Sequence, residues 1–358
     1  MKSGKKFTLG FLPTLLALVA MLVVACGGPS GPSKPTAAPA GQQNYRIALA
    51  PASDIKTFDP GLATDLNSIT AIDMVFTGLV QENDKLQVTP QMATYSISPD
   101  NLTYTFHMKP NLKFSDGTPL TANDAAYSID RALSKPISDQ TGVSSTYLGL
   151  IKDSAARLAG TKTTLIGDSI NVVDPTTLTI TVDHPTGYFL QALTYPTAYV
   201  VEQSVITKWG TKWGDHLSDN GGQGGDGPFV VQSYNHATGI TLVPNPSYYG
   251  KAQTLKKVDL IFYKDAETAY KSFQSGQVDN VLVPAADAAA AQADVAEYKT
   301  APELSTGYVA MNYLYKPFDN IDIRQAFDLA INKDQIAQNI EHGQVSPSCH
   351  IVPSGMPG

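Results

Sequence analysis

Leu102-Thr-Tyr-Thr-Phe-His-Met108, Leu112-Lys-Phe-Ser-Asp-Gly-Thr-Pro119 and Thr121-Ala-Asn-Asp124 follow one another along the chain. In the first, apolar and polar residues alternate with period two, which predicts a half-buried strand. The second is a turn built on Asp116-Gly117. In the third, Thr121 with an acid three residues on forms a capping-box-like start to a helix that carries Tyr127, Arg131 and Leu133.

The same reading extends outward. Upstream, Tyr45 to Ala50 alternates like a strand, and Ile72, Val75, Phe76 and Leu79 have helical spacing over 69–79. Downstream, Thr177 to Val182 is an alternating strand, Phe229 to Tyr234 and Ile240 to Val243 read as strands paired across a turn, and Val258 to Tyr263 is strand-like. From there strand and helix alternate. Helix is expected over 266–273 and 285–296, and strand over 278–283 and 307–313. Asp322 with Gln325, and Asn332 with Gln335, cap helices ending near Ile331 and Gly343. Such alternation predicts a largely parallel sheet in this second half. No internal repeat is visible.

The 358 residues suffice for two or three domains, and 42% apolar against 16% charged residues can bury a sizeable core. The formal charge of −7 comes with acids and bases interspersed and no basic stripe, so nucleic acid is excluded as the expected partner. The first residues differ. Lys2, Lys5 and Lys6 precede the apolar run Phe7 to Ala25, which ends in Val23-Val24-Ala25-Cys26. This is the pattern of a secretory signal. The run is just long enough for a plain membrane anchor, but Pro13 interrupts it. Residues 26–44, rich in Gly, Pro, Ser and Ala, read as a tether. Cys349 is the other cysteine, either a free thiol or half of a bond completed elsewhere.

Catalytic signatures are lacking. Gly222-Gln-Gly-Gly-Asp-Gly227 matches G-x-G-x-x-G literally, but it leads into the strand Phe229-Val-Val231, whereas a dinucleotide fingerprint opens a helix. Gly221 to Asp226 also fits one unit of a calcium repeat that requires tandem copies. It is expected to be a flexible connection, with Gly227 permitting the turn into the strand. The six histidines show no metal spacing and no nucleophile elbow occurs, so no cofactor, metal or catalytic residue is expected. Tyr195, Tyr199, Tyr308, Tyr313 and Tyr315 fall near expected element ends, where some could line a cleft.

Taken in order, several blocks resemble extracellular solute-binding protein family 5, the oligopeptide-, dipeptide- and nickel-binding lipoproteins of ABC importers. They are Thr57-Phe-Asp-Pro60, Gly78-Leu-Val80, Leu102 to His107, Leu112 to Pro119, Gly227-Pro-Phe229, Asn245-Pro-Ser-Tyr-Tyr-Gly250, Ser275-Gly-Gln-Val-Asp279 and Pro317 to Ala326. Departures are Gln277, Tyr249, Asp322 and the long insert Asn220 to Gly225. The ending at Cys26 resembles a lipobox. The resemblance implies an α/β, two-lobed periplasmic-binding-protein-like fold with an inserted subdomain and an incomplete second lobe. The implied parts are a signal peptide over 1–25, the lipid-anchored linker over 26–44, lobe I from 45–74 and 187–262, the insert over 75–186, and the first part of lobe II over 263–358. It implies a lipid on Cys26 and ligand contacts from Thr64, Asp65 and Leu66, and from Tyr308, Met311 and Asn312. Lys208-Trp-Gly-Thr-Lys-Trp213 resembles an element of the oligopeptide group. The implied protein is a non-enzymatic, extracytoplasmic monomer that passes a peptide or similar small solute to importer permease subunits and touches the membrane through its anchor. Solute binding by these residues without the remainder of lobe II is expected to be weak or nil. The alternatives are a secreted hydrolase acting on peptides or glycans, and a lipoprotein receptor or chaperone without a transport role.

Overall fold

The computed structural model describes residues 43–294, 297–300 and 305–353. The expected signal, the expected lipidation site Cys26 and most of the expected tether lie outside them.

Four strands form the first sheet in the order β1-β10-β9-β8. β1 (Asn44–Leu49) runs parallel to β10 (Lys257–Phe262), with Ile47 opposite Leu260. β8 (Phe229–Asn235) and β9 (Gly239–Pro244) form the expected hairpin, and β9 pairs antiparallel with β10. Helix α1 (Leu66–Val75) covers this sheet. Its buried residues Ser68, Ala71, Ile72 and Val75 sit at i, i+3, i+4 and i+7, one stripe of a 3.6-residue period. They pack in a core with Phe58, Phe76, Trp213, Leu242 and Leu260.

The chain leaves this layer after α1. β2 (Val80–Glu82) and β3 (Val88–Pro90) pair with each other. β4 (Ala93–Ile97), β5 (Thr103–Met108), β6 (Ile170–Asp174) and β7 (Thr177–Thr181) make an antiparallel sheet in the order β4-β5-β7-β6. Helix α2 (Ala122–Ala132) opens with the expected box: Thr121 Oγ1 accepts from Asn123 N, and Asp124 Oδ2 accepts from Thr121 N at 2.8 Å. Phe106, Phe114, Ile129, Leu178 and Ile180 fill this second core. Phe189, Leu193, Ala198 and Val200 join it too, so it draws on residues past 186, the expected end of the insert.

Two junctions tie the layers. In the first, Asp59 accepts from both terminal nitrogens of Arg131 on α2, at 3.0 and 2.5 Å, from Trp213 Nε1 at 3.2 Å and from Gly61 N at 3.0 Å. In the second, the Gly-rich loop packs on the end of α1. Asp226 N and Gly227 N both donate to Val75 O, Gly225 O accepts from Ser115 N, and Asn245 Nδ2 donates to Gly227 O. A side chain on Gly225 or Gly227 would put Cβ 2.5–2.6 Å from Val75 backbone atoms. Residues 222–227 are buried, so the expected flexible connection is instead a packed junction.

The second half departs further from expectation. Helix α3 (Ala266–Gln274) forms, capped by Asp265. The strand expected over 278–283 is reduced to one bridge, Ile47 to Asn280, and the strand over 307–313 is absent. Over 285–296 the described residues form a short 3-10 turn (Ala285–Asp287) and one helical turn (Ala288–Ala291). Helix α4 (Ile321–Ala330) is capped by Asn320 rather than Asp322, and the last helix is a short turn, Lys333–Gln335, continuing as a π-turn over Ile336–Ile340. No parallel sheet of the second half exists among the described residues. A strand needs a neighbour to receive its N–H and C=O groups, and alternation in sequence supplies the face but not the neighbour.

Candidate functional site

The Asp59-to-α1 segment builds the first half of the candidate site. Asp59 caps the 3-10 turn Pro60–Leu62, and Asp65 then caps α1, its Oδ1 accepting from Ser68 N at 3.0 Å and its Oδ2 from Ser68 Oγ at 2.8 Å. With Ser68, Ala71, Ile72 and Val75 turned inward, Leu66, Thr70 and Asp73 occupy the opposite face. Leu66 is 55% exposed and Thr64 is exposed beside it.

Tyrosines border this face. Tyr195 donates through its hydroxyl to Ala63 O at 3.0 Å and lies flat against Tyr147, ring centroids 3.7 Å apart. Tyr199 donates to Asp73 Oδ1 at 3.0 Å. Burial pushes the Tyr195 phenol up to about 12, with Tyr147 and the charges of Asp65 and Asp73 adding to it. Crowding by surrounding protein raises the Asp73 carboxyl to about 6, partly opposed by the Tyr199 hydrogen bond. Asp73 is nonetheless open to solvent and belongs to no core.

The second expected group is placed differently. Tyr308, Met311 and Asn312 lie in an irregular segment; Tyr308 is 71% exposed, Met311 is half-buried, and Asn312 accepts from Leu314 N within its own turn. No hydrogen bond or ring contact among the described residues joins them to Thr64, Asp65 or Leu66. A cavity of about 270 Å³ lined by Asp54, Lys56, Trp213, Asp215, Tyr234 and His236 contains none of the six residues. Among the described residues no cluster of His, Cys, Asp or Glu could hold a metal ion, and no helix is long and apolar enough to cross a membrane. Cys349 is exposed and not in a disulfide.

Residues 87–358 match the family model of bacterial extracellular solute-binding proteins, family 5, middle region. The chain belongs to that family. The oligopeptide-binding protein OppA of Bacillus subtilis is 29% identical over 360 residues, which cover 96% of this chain and 63% of that protein. The probable deoxycholate-binding periplasmic protein YgiS of Escherichia coli is 30% identical over 314 residues, covering 86% of this chain and 56% of its own. Among solved structures, the murein tripeptide binding protein MppA of Escherichia coli shares the fold, with a TM-score of 0.77 at 24% identity over 87% of this chain and 60% of MppA. The chain thus spans a little under two thirds of these relatives. They are named as binding proteins rather than enzymes, and family 5 proteins bind solutes without transforming them.

Several blocks that carry the family resemblance turn out to be joints. Asp59, Ser115, Gly227 and Asn245 hold the two layers together, and Asp279 holds β1. Asp279 accepts from Arg46 N, Nε and Nη2 at 2.7–2.9 Å, which holds its carboxyl below the usual range. Sequence reading missed Asp73. Its one signal was position: seven residues after Leu66, two turns along the same helix face.

Proposed function

We propose that the protein is the extracytoplasmic binding component of an ABC importer, takes a peptide as its solute, and is held at the membrane by a lipid on Cys26. Family membership supports the binding role, and the names of relatives such as OppA favour peptides. The observation that carries the reading is the solvent-open face of α1, where Thr64, Asp65 and Leu66 stand beside half-buried tyrosines. Such a wall sets aromatic and aliphatic surface beside a few oriented polar groups, as small-molecule sites do. Tyr308, Met311 and Asn312 would contribute from a second lobe beginning near 263, with 45–74 and 187–262 as the first lobe and 75–186 as the insert. Closure of the two lobes would enclose the solute. Permease subunits would receive it, the binding protein acting as a monomer.

A site that grips main-chain groups and leaves side chains in roomy, wet pockets loses little when one side chain is exchanged. Calorimetry with the whole protein should therefore give similar affinities for uncharged peptides of one length and different sequence. Binding of a sugar, nickel chelate or bile acid with none of any peptide would overturn the peptide assignment. For the anchor, Cys26→Ser should abolish palmitate labelling; unchanged labelling rules the lipid out.

A further inference from the structure

We infer that Asp73, on the open face of α1, makes the site prefer solutes that carry a basic side chain; this rests on the solute-binding role proposed above.

The helix geometry supplies the position. Residues 66 and 73 are seven apart and so fall within about 20° of each other around the axis. Leu66 is one of the residues expected at the solute, and Asp73 therefore lies on the same face, two turns on. Tyr195, stacked on Tyr147, donates to Ala63 O just before the helix, and Tyr199 donates to Asp73 near its far end, so the tyrosines border the same helix from end to end.

The carboxylates of this protein differ in how they are matched. Asp59 and Asp130 are held by Arg131 and Arg157, Asp153 and Asp168 by Lys162, and Asp279 by Arg46. Asp65 spends both oxygens on Ser68. Asp73 has one neutral donor, the Tyr199 hydroxyl on Oδ1, and no cation pairs with it among the described residues. Its raised titration, to about 6, records the cost of holding a negative charge in crowded surroundings without a counter-ion. At neutral pH it is nevertheless mostly ionised. A cation brought by the solute relieves that cost and meets an acceptor that is already oriented.

The surroundings also suit the rest of a basic side chain. Exposed Leu66 can pack an aliphatic stem, and the half-buried rings of Tyr195 and Tyr199 favour an ammonium or guanidinium nearby. A neutral isostere would keep the stem contacts and lose the charge.

The test compares Ala-Lys-Ala with Ala-norleucine-Ala, each with a free and an acetylated amino terminus, by calorimetry on the whole protein and its Asp73→Asn variant. Asn keeps an oxygen for the Tyr199 hydroxyl. At pH 7.5 the lysine peptide should bind about three- to tenfold tighter, the size expected for a partly solvated charge pair. That ratio should fall toward one in Asp73→Asn, and in the unmutated protein as pH drops through about 6. An effect of acetylation that Asp73→Asn removes, with no preference for lysine, would show that Asp73 reads the terminal ammonium and overturn the side-chain inference. A lysine preference that survives both the substitution and pH 5 overturns it as well, as does equal binding of the two peptides. Binding of none of the four overturns the solute reading itself.

Discussion

Two buried carboxylates bracket what a single residue contributes here. Asp59 is 6% exposed and fully matched by Arg131, Trp213 and Gly61. Burial alone would lower the Arg131 guanidinium, but the hydrogen bond and charge of Asp59 more than offset it and raise it. Asp59→Asn leaves that cation buried and uncompensated, so it should cost about 3–5 kcal/mol in denaturant unfolding at unchanged m-value; a loss under 1 kcal/mol would mean water reaches Arg131. Asp226 is the opposite case. Its Oδ1 accepts from Thr77 N at 2.7 Å, but its buried Oδ2 has no partner, and desolvation holds the carboxyl well above its usual range. The folded state therefore binds the proton more tightly than the unfolded chain. The stability this confers is present below the ordinary carboxylate value of about 3.9 and is lost as pH rises toward the folded value. Asp226→Asn should flatten the decline in unfolding free energy as pH rises above the ordinary carboxylate range, and an equally steep decline in the variant would show that other groups cause it.

At the scale of elements, α1 and α4 make a matched comparison, both ten residues long. In α1 the apolar stripe is buried against the β1 sheet, and Ile72 is 0% exposed. In α4 no residue is buried, and Leu329 is 86% exposed. Truncating a packed side chain removes its transfer energy and leaves a cavity; truncating an exposed one does neither. Ile72→Ala should cost about 2–5 kcal/mol and Leu329→Ala under about 0.5 kcal/mol in the same unfolding transition. A large loss from Leu329→Ala would show that α4 is covered in solution. The capping box at Thr121 and Asp124 was legible because both partners are local, three residues apart. The true cap of α4, Asn320, stood two residues before the acid that the spacing singled out.

Taken as a whole, the molecule is unevenly consolidated. Residues 44–262 contain two cores and ten strands, while 305–353 expose Tyr308, Val309, Tyr313, Leu314, Phe327, Leu329 and Ile351. Local opening needs little energy where few apolar contacts form. Hydrogen exchange on these residues expressed alone should show slow amides on β5, β7 and β8 to β10 and fast ones across 305–353. Uniform protection through 321–340 would contradict this. The same uneven picture bears on binding, because the wall on α1 is built into the consolidated part, whereas Tyr308, Met311 and Asn312 are not held against it.

Alternation and helical spacing were enough to place β5, β7, the β8–β9 hairpin and α2 within a few residues, since each pattern reports a buried face and each start or turn is closed by near neighbours, whereas α1 spans 66–75 rather than 69–79, with Phe76 and Leu79 buried beyond its end. The ordered blocks were enough for the family. What they could not contain was pairing at a distance. Asp59 meets Arg131 across 72 residues, Thr77 meets Asp226 across 149, and Arg46 meets Asp279 across 233. Tertiary structure alone decided that the Gly-rich loop is a buried joint, that 278–283 and 307–313 are not strands, and that Asp73 stands uncompensated beside Tyr199. The physical reason is the same in each case: a local pattern states which face wants burial or which donor wants an acceptor, and only the folded chain determines whether the complementary group arrives.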